Sequence, residues 1–172
     1  MSRRHRPAPE LFQAAVDGDR SALARLLSLI ERGDDDARVI GRLAYPLSGS
    51  GYTVGLTGAP GAGKSTLTSS LIGLLRAQDL EIAVLAIDPS SPFTGGAILG
   101  DRVRMQDHAT DPGVFIRSMA TRGHLGGLSL ATPEAVRVLD AIGRKWILVE
   151  TVGVGQVEVE VAGKADTTVV VV

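Results

Sequence analysis

Eight residues between an apolar run and a helix-like segment constrain this chain more than any other feature. Residues 58–65 read Gly-Ala-Pro-Gly-Ala-Gly-Lys-Ser, which matches the pattern G-x-x-x-x-G-K-[ST] of a phosphate-binding loop. The apolar run 53–57 precedes the motif and a helix-like segment, 64–77, follows it, which is the context that the motif requires. Free N–H groups at the start of a helix attract phosphate oxygens. The motif therefore predicts a strand, a phosphate loop and a helix in succession.

Each residue of this loop has a candidate role in nucleotide binding. Lys64 is expected to reach the β- and γ-phosphates and to act in catalysis, while the hydroxyl of Ser65 is expected to ligate Mg²⁺. An ordinary glycine-rich turn would not require a Lys-Ser pair at this point. The predicted nucleotide-binding residues of the loop are Gly58, Ala59, Pro60, Gly61, Ala62, Gly63, Lys64, Ser65 and Thr66.

Short apolar runs alternate with helix-like stretches from Tyr52 onward, which predicts an α/β fold. Runs this rich in Val and Ile are typical of strands covered on both faces, so we expect a doubly wound, mostly parallel sheet of the P-loop NTPase type. One helix is expected to begin with Thr132 as its cap and Pro133 as its first residue. The predicted strands are 53–57, 81–87, 114–116, 146–149 and 167–172, and the predicted helices are 64–77, about 100–109 and 133–143.

The first 51 residues follow a different pattern, which predicts a helical segment and linker (1–51) ahead of the nucleotide-binding domain (52–172). Leucine and isoleucine recur at helical spacing over 23–30, with Asp19 or Ser21 available as a cap and Gly33 after the end. The Ser-Gly repeat at 48–51 predicts a flexible break. At the other end, the chain stops inside an apolar run, so we expect the domain to be incomplete there.

Composition excludes several classes of site. The chain has no cysteine, a formal net charge of −1 and a pI near 6.3, which argues against thiolate metal sites and against electrostatic binding of nucleic acid or an anionic membrane. Apolar stretches fall short of the roughly 20 residues of a membrane span. Without a signal-like apolar core after the basic N-terminus, a cytoplasmic location is expected.

Two acidic residues follow predicted strands. Asp88 comes after 81–87 and Glu150 after 146–149, and the carboxyl ends of parallel strands are where ligands bind in such sheets. Asp88 could instead begin the proline turn that follows it. Glu150 stands three residues before Gly153, the spacing of the D-x-x-G element of GTPases, whose acid orients metal-bound water and whose glycine N–H senses the γ-phosphate. A strand ending in a glycine turn is the alternative.

Other polar residues in glycine-rich stretches leave two interpretations open. Asp101 fits a mobile loop that closes over Mg²⁺ and phosphate, or a simple helix cap. His124 is more typical of a surface residue than of a catalytic base. Gln156 is a weak candidate for positioning water. Residues 163–166, Gly-Lys-Ala-Asp, look like a base-reading N-K-x-D without its Asn, but they precede the last strand and are interpreted as a helix end.

Taken together, the motifs resemble the MeaB/ArgK family of P-loop GTPases, chaperones of adenosylcobalamin-dependent methylmalonyl-CoA mutase that were formerly called lysine/arginine/ornithine transport kinases. The resemblance rests on the ordered stretches 58–66, 88–92, 95–102, 122–127 and 150–156. It implies binding and slow hydrolysis of GTP with Mg²⁺, a homodimer in the full-length protein, and coupling of the nucleotide state to loading and protection of the mutase.

Residue by residue, the resemblance implies catalytic roles for Lys64, Asp101 and Glu150, and metal ligands at Ser65, Asp88, Asp101 and Glu150. The family's N-K-x-D motif and its C-terminal dimerisation arm do not occur in these 172 residues. Two alternatives stay open: an ATP-using kinase or ATPase linked to basic amino-acid transport, and a nucleotide-binding regulatory partner without catalysis.

Overall fold

The computed structural model describes residues 6–33, 35–88, 106–120, 128–151 and 163–172. The helices are α1 (Ala8–Val16), α2 (Arg20–Arg32), α3 (Asp35–Ala44), α4 (Lys64–Arg76), α5 (Gln106–Ala109) and α6 (Leu128–Ala141), with a 3₁₀ turn over Tyr45–Leu47. The strands are β1 (Tyr52–Gly58), β2 (Ile82–Asp88), β3 (Val114–Ala120), β4 (Trp146–Thr151) and β5 (Thr167–Val171). All five predicted strands are therefore confirmed, each with its ends shifted by a few residues at most.

The strands form one parallel sheet in the order β3-β2-β4-β1-β5. Strand β1 lies between β4 and β5, with Leu56 in register with Glu150 on one side and with Val169 on the other. Because all strands run the same way, their carboxyl ends meet at one edge of the sheet. The predicted α/β architecture is confirmed, and the 58–65 loop lies at that edge.

Alternate residues of each strand pack on opposite faces of the sheet, because successive side chains of a strand point to opposite sides. On one face Val84 and Leu148 pack with Ile72 of α4. On the other, Leu85 and Val149 belong to the larger core that also contains the apolar sides of α1, α2, α3 and α6. Helices therefore cover both faces of the central strands, which explains why β2 and β4 are mainly apolar.

The three N-terminal helices share this core with the sheet. Helix α2 begins as expected: the Asp19 carboxylate accepts hydrogen bonds from the backbone N–H groups of Ser21 and Ala22, and Gly33 ends the helix. Arg117 of β3 donates to the carbonyl of Ala24 at 3.0 Å and to Glu31 at 3.1 Å. The helical segment is thus joined to the sheet by polar contacts as well as by apolar packing.

The Ser-Gly stretch that was expected to be flexible is held by Asp140 of α6. The Asp140 carboxylate accepts hydrogen bonds from the backbone N–H groups of Gly49, Ser50 and Gly51, the last at 2.7 Å. Lys145 also donates to the Ser50 hydroxyl at 3.0 Å. The Ser-Gly composition predicts a flexible backbone here. The structure shows instead that a carboxylate distant in sequence accepts hydrogen bonds from these N–H groups and holds the backbone in place.

Helix α6 begins earlier than predicted. It starts at Leu128, so Pro133 lies inside the helix and Thr132 is not its cap. A proline in the second turn removes one hydrogen bond and is tolerated when packing compensates. Here Ala131 before the proline and Ala135 and Leu139 after it are buried in the same core, so packing on both sides of Pro133 compensates for the lost bond. Among the described residues, no helix has the length and apolar character needed to cross a membrane.

Candidate nucleotide-binding site

The 58–65 loop joins β1 to α4 at the carboxyl edge of the sheet. Its middle, from Ala59 to Gly61, is exposed, and Lys64 is the first residue of the 13-residue helix α4. Gly63 precedes this helix and has no side chain to cap it. The first N–H groups of α4 are therefore open to an anionic ligand, and the helix dipole favours one there.

Two glycines of the loop are required for different reasons. Gly58 has φ +138°, and a Cβ at this position would lie 2.1 Å from the carbonyl oxygen of Val171 in β5. Gly61 has φ +82°, but an added Cβ would have no neighbour within 4 Å. Close packing against β5 therefore requires glycine at 58, whereas only the backbone conformation favours it at 61.

The side chain of Lys64 folds back over the loop. Its Nζ donates to the carbonyl oxygen of Gly58 at 2.6 Å and to that of Ala59 at 2.8 Å, and the residue is 7% exposed. Both acceptors belong to the loop itself, so the ammonium lies beside the cradle that phosphates would occupy.

The carboxylate of Glu150 faces the start of α4. Glu150 lies near the end of β4 and is 5% exposed, and its Oε1 accepts a hydrogen bond of 2.6 Å from the Ser65 hydroxyl. Two residues predicted as metal ligands from distant parts of the sequence are thus in contact. The register of β4 with β1 causes this contact, because it sets Glu150 opposite Leu56, two residues before the loop begins.

Thr68, which no sequence motif singled out, completes the cluster. Its hydroxyl lies 2.9 Å from Glu150 Oε2 and 2.9 Å from the carbonyl oxygen of Lys64, and the residue is fully buried. Thr68 follows Ser65 by three positions, so both face the same side of α4. This spacing was the only sequence signal that could have identified it.

The residues of this cluster fit a divalent cation. A buried carboxylate is costly unless a cation or several hydrogen bonds meet it, and within the described part of the chain Glu150 contacts two hydroxyls but no basic side chain. The ammonium of Lys64 is occupied by the loop carbonyls. A carboxylate beside a hydroxyl is a donor set that suits Mg²⁺, which prefers oxygen ligands and commonly retains several waters.

The remaining predicted site residues are only partly placed. Asp88 is the last residue of β2, beside β4 at the same carboxyl edge, and its side chain lies outside the described structure. Thr66 is exposed in the first turn of α4. Asp101, His124, Gly153 and Gln156 lie outside the described residues, so their roles stay predictions.

The Gly-Lys-Ala-Asp stretch lies at the opposite end of the sheet from the loop. Asp166 accepts a hydrogen bond from the backbone N–H of Thr53 at 2.7 Å, and its own N–H donates to the Thr53 carbonyl at 2.9 Å. Thr53 is at the beginning of β1, whereas the loop follows its end. Asp166 thus anchors the start of β5 and, among the described residues, lies away from the loop; the interpretation of 163–166 as a helix end depends on 152–162, which lie outside the described residues.

Comparison with known proteins gives a consistent match. The family model described as methylmalonyl Co-A mutase-associated GTPase MeaB matches residues 23–172. A protein of Pyrococcus abyssi (strain GE5 / Orsay) is 61% identical over 162 residues, which are 94% of this chain and 50% of that protein. A fused isobutyryl-CoA mutase of Cupriavidus metallidurans is 39% identical over 170 residues, which are 96% of this chain and 16% of that protein.

A solved structure agrees with this match. The crystal structure of a LAO/AO transport system kinase superposes with a TM-score of 0.74 at 30% sequence identity, covering 95% of this chain and 49% of that one. The chain thus spans about half the length of the Pyrococcus protein and of the crystallised kinase.

Proposed function

The chain belongs to the family of methylmalonyl-CoA mutase-associated GTPases MeaB, and we propose that its 58–65 loop binds GTP and GDP together with Mg²⁺ and supports hydrolysis of GTP. In the same proposal, the nucleotide state of the whole protein controls loading and protection of an adenosylcobalamin-dependent acyl-CoA mutase. The observation that carries the proposal is the contact between Ser65, from the phosphate loop, and the buried carboxylate of Glu150, from a different strand.

Each residue of the cluster has a separate task in this proposal. Lys64 leaves the carbonyl oxygens of Gly58 and Ala59 and pairs with the phosphates. Ser65 would hold Mg²⁺ through its hydroxyl, and Glu150 would orient a water bound to the metal; the cation supplies charge stabilisation for phosphoryl transfer. Positioning and electrostatics of this kind account for most of the catalysis of such reactions. Asp88, Asp101 and Gly153 are proposed to complete the metal and switch elements.

The proposed partner follows from the relatives. In the Cupriavidus protein a region similar to this chain occurs within a fused isobutyryl-CoA mutase, and the family description itself names mutase association. A GTPase region linked covalently to a mutase in one protein supports association of the two in another. A homodimer of the full-length protein and a cytoplasmic location belong to the same proposal.

Calorimetric titration with GDP and with ADP, each with Mg²⁺, tests the choice of base. We expect GDP to bind more tightly by at least tenfold. Tighter binding of ADP would favour the alternative that the name of the solved relative indicates, an ATP-using transport kinase.

Hydrolysis is tested separately from binding. Single-turnover assays with GTP, with and without a purified acyl-CoA mutase, should show phosphate release above the buffer rate and a change in that rate when the mutase is added. If GTP is bound but phosphate is released no faster than in buffer in both samples, hydrolysis is refuted and the protein is a nucleotide-binding regulator without catalysis.

A further inference from the structure

The hydroxyl of Thr68 has no evident structural purpose inside α4. The residue is fully buried, where apolar side chains are the usual occupants. A threonine hydroxyl that bonds back to the carbonyl four residues earlier slightly destabilises a helix. Since buried hydroxyls are costly without a partner, the acceptors of Thr68 indicate why it is there.

This hydroxyl has one proton and two acceptors at the same distance. The carbonyl oxygen of Lys64 and Oε2 of Glu150 are each 2.9 Å away. The Lys64 carbonyl belongs to the helix, so the contact that links separate elements is the one to Glu150. That contact fixes the second carboxylate oxygen, while Ser65 contacts the first at 2.6 Å.

Two contacts are needed to fix a carboxylate. The terminal torsion of a glutamate is broad, so a carboxylate held at one oxygen still rotates about its last bond. With Ser65 on Oε1 and Thr68 on Oε2, both on one side of α4, the plane of the Glu150 carboxylate is determined. Its orientation toward the start of the helix is then set before any ligand binds.

We propose that Thr68 is a positioning residue for the metal half of the site: its hydroxyl holds the Glu150 carboxylate in the orientation in which it would orient a water of the Mg²⁺ that Ser65 holds, and so sets how strongly Mg²⁺ enhances nucleotide binding. The inference rests on the proposed function. It concerns the enhancement by the cation and not the affinity of the loop for phosphate, which depends on Lys64 and the backbone.

The test is titration of GDP into the protein with excess Mg²⁺ and again with EDTA, which gives the enhancement as a ratio of two affinities. Thr68→Val removes the hydroxyl and keeps the shape. We expect the ratio to fall about tenfold, the effect of losing one hydrogen bond to a charged group, while the affinity in EDTA changes less than twofold. Thr68→Ser keeps the hydroxyl, so its ratio should stay within about threefold of that of the parent protein.

Ser70→Ala is the matched control. Ser70 makes the same bond to a carbonyl four residues earlier, that of Thr66, at 3.0 Å, but it is exposed. Its loss should leave the ratio unchanged. If Thr68→Val does not fold, Thr68→Cys is the substitute, because a thiol is a weaker donor than a hydroxyl. The ratio of GDP affinities should fall in this variant too.

A double-mutant cycle with Glu150→Gln shows whether Thr68 acts through Glu150. When Glu150→Gln is already present, Thr68→Val should have no further effect on the ratio. An unchanged ratio in Thr68→Val, an equal loss of affinity with Mg²⁺ and with EDTA, or full additivity with Glu150→Gln would each overturn the inference. A parent protein that binds no GDP, or binds it without enhancement by Mg²⁺, would instead refute the proposed function.

Discussion

Replacing Gly58 by alanine should destabilise the protein far more than replacing Gly61, although both glycines belong to the same motif. Both residues have positive φ, +138° and +82°, so an alanine at either position costs about 1–2 kcal/mol of backbone strain. Only at 58 does the added Cβ meet another strand, 2.1 Å from the Val171 carbonyl oxygen. This oxygen is part of the backbone, so β5 itself must move.

The additional cost at Gly58 can be estimated from the sheet. To restore a separation of more than 3 Å, the end of β5 must shift by about 1 Å, which breaks its pairing with β1 at Gly58 and Val171. Loss of one or two backbone hydrogen bonds at about 1 kcal/mol each gives a total of about 2–4 kcal/mol for Gly58→Ala. We expect about 1–2 kcal/mol for Gly61→Ala, so the difference between the two variants is about 1–2 kcal/mol.

Urea unfolding followed by the fluorescence of Trp146 measures this difference. Trp146 is the only tryptophan of the chain, begins β4 and lies 5.2 Å from the ring of Tyr52, so it reports on the centre of the sheet. Hydrogen exchange at the amides of β5 should accelerate in Gly58→Ala and not in Gly61→Ala. Equal losses of stability in the two variants, or a larger loss at 61, would refute the assignment of Gly58 to contact with β5.

Three other expectations concern charged groups. Lys64→Ala should abolish measurable GDP binding by calorimetry while the circular dichroism spectrum stays that of the parent; unchanged binding would refute the phosphate-loop assignment. Glu150→Ala should bind GDP in EDTA with nearly the parental affinity but lose the difference in protease protection between GTP and GDP; retention of that difference would exclude Glu150 as a switch residue. The hydrogen bond from Arg76 lowers the pKa of Asp111 below its ordinary 3.8. The Asp111–Arg76 pair therefore stabilises the fold fully above about pH 3.8, and this stabilisation is lost as the pH falls through the pKa that Asp111 has in the folded protein. Asp111→Asn should therefore flatten the acid side of a plot of melting temperature against pH, and an unchanged slope would contradict the pairing.

Much of the fold could be predicted because its signals are local. The strands were found from their apolar character, and α2 from its stripe, its Asp19 cap and Gly33. The start of α6 could not be predicted, because Pro133 is a strong local signal for a helix start, whereas the burial of Ala131 before it depends on contacts with other elements. The apparent freedom of 49–51 was removed in the same way, by a carboxylate about 90 positions away.

The phosphate loop and the order of strands and helices follow from local sequence, because glycine spacing, a Lys-Ser pair and apolar periodicity act over a few neighbouring residues. Which side chains meet depends instead on how the strands and helices pack. The register of β4 beside β1 brings Glu150 to Ser65 across 85 positions and adds Thr68 as a second donor to the same carboxylate. Contacts of this kind depend on how parallel strands align and on which side of α4 faces the sheet, and neither property is written in any short stretch of residues.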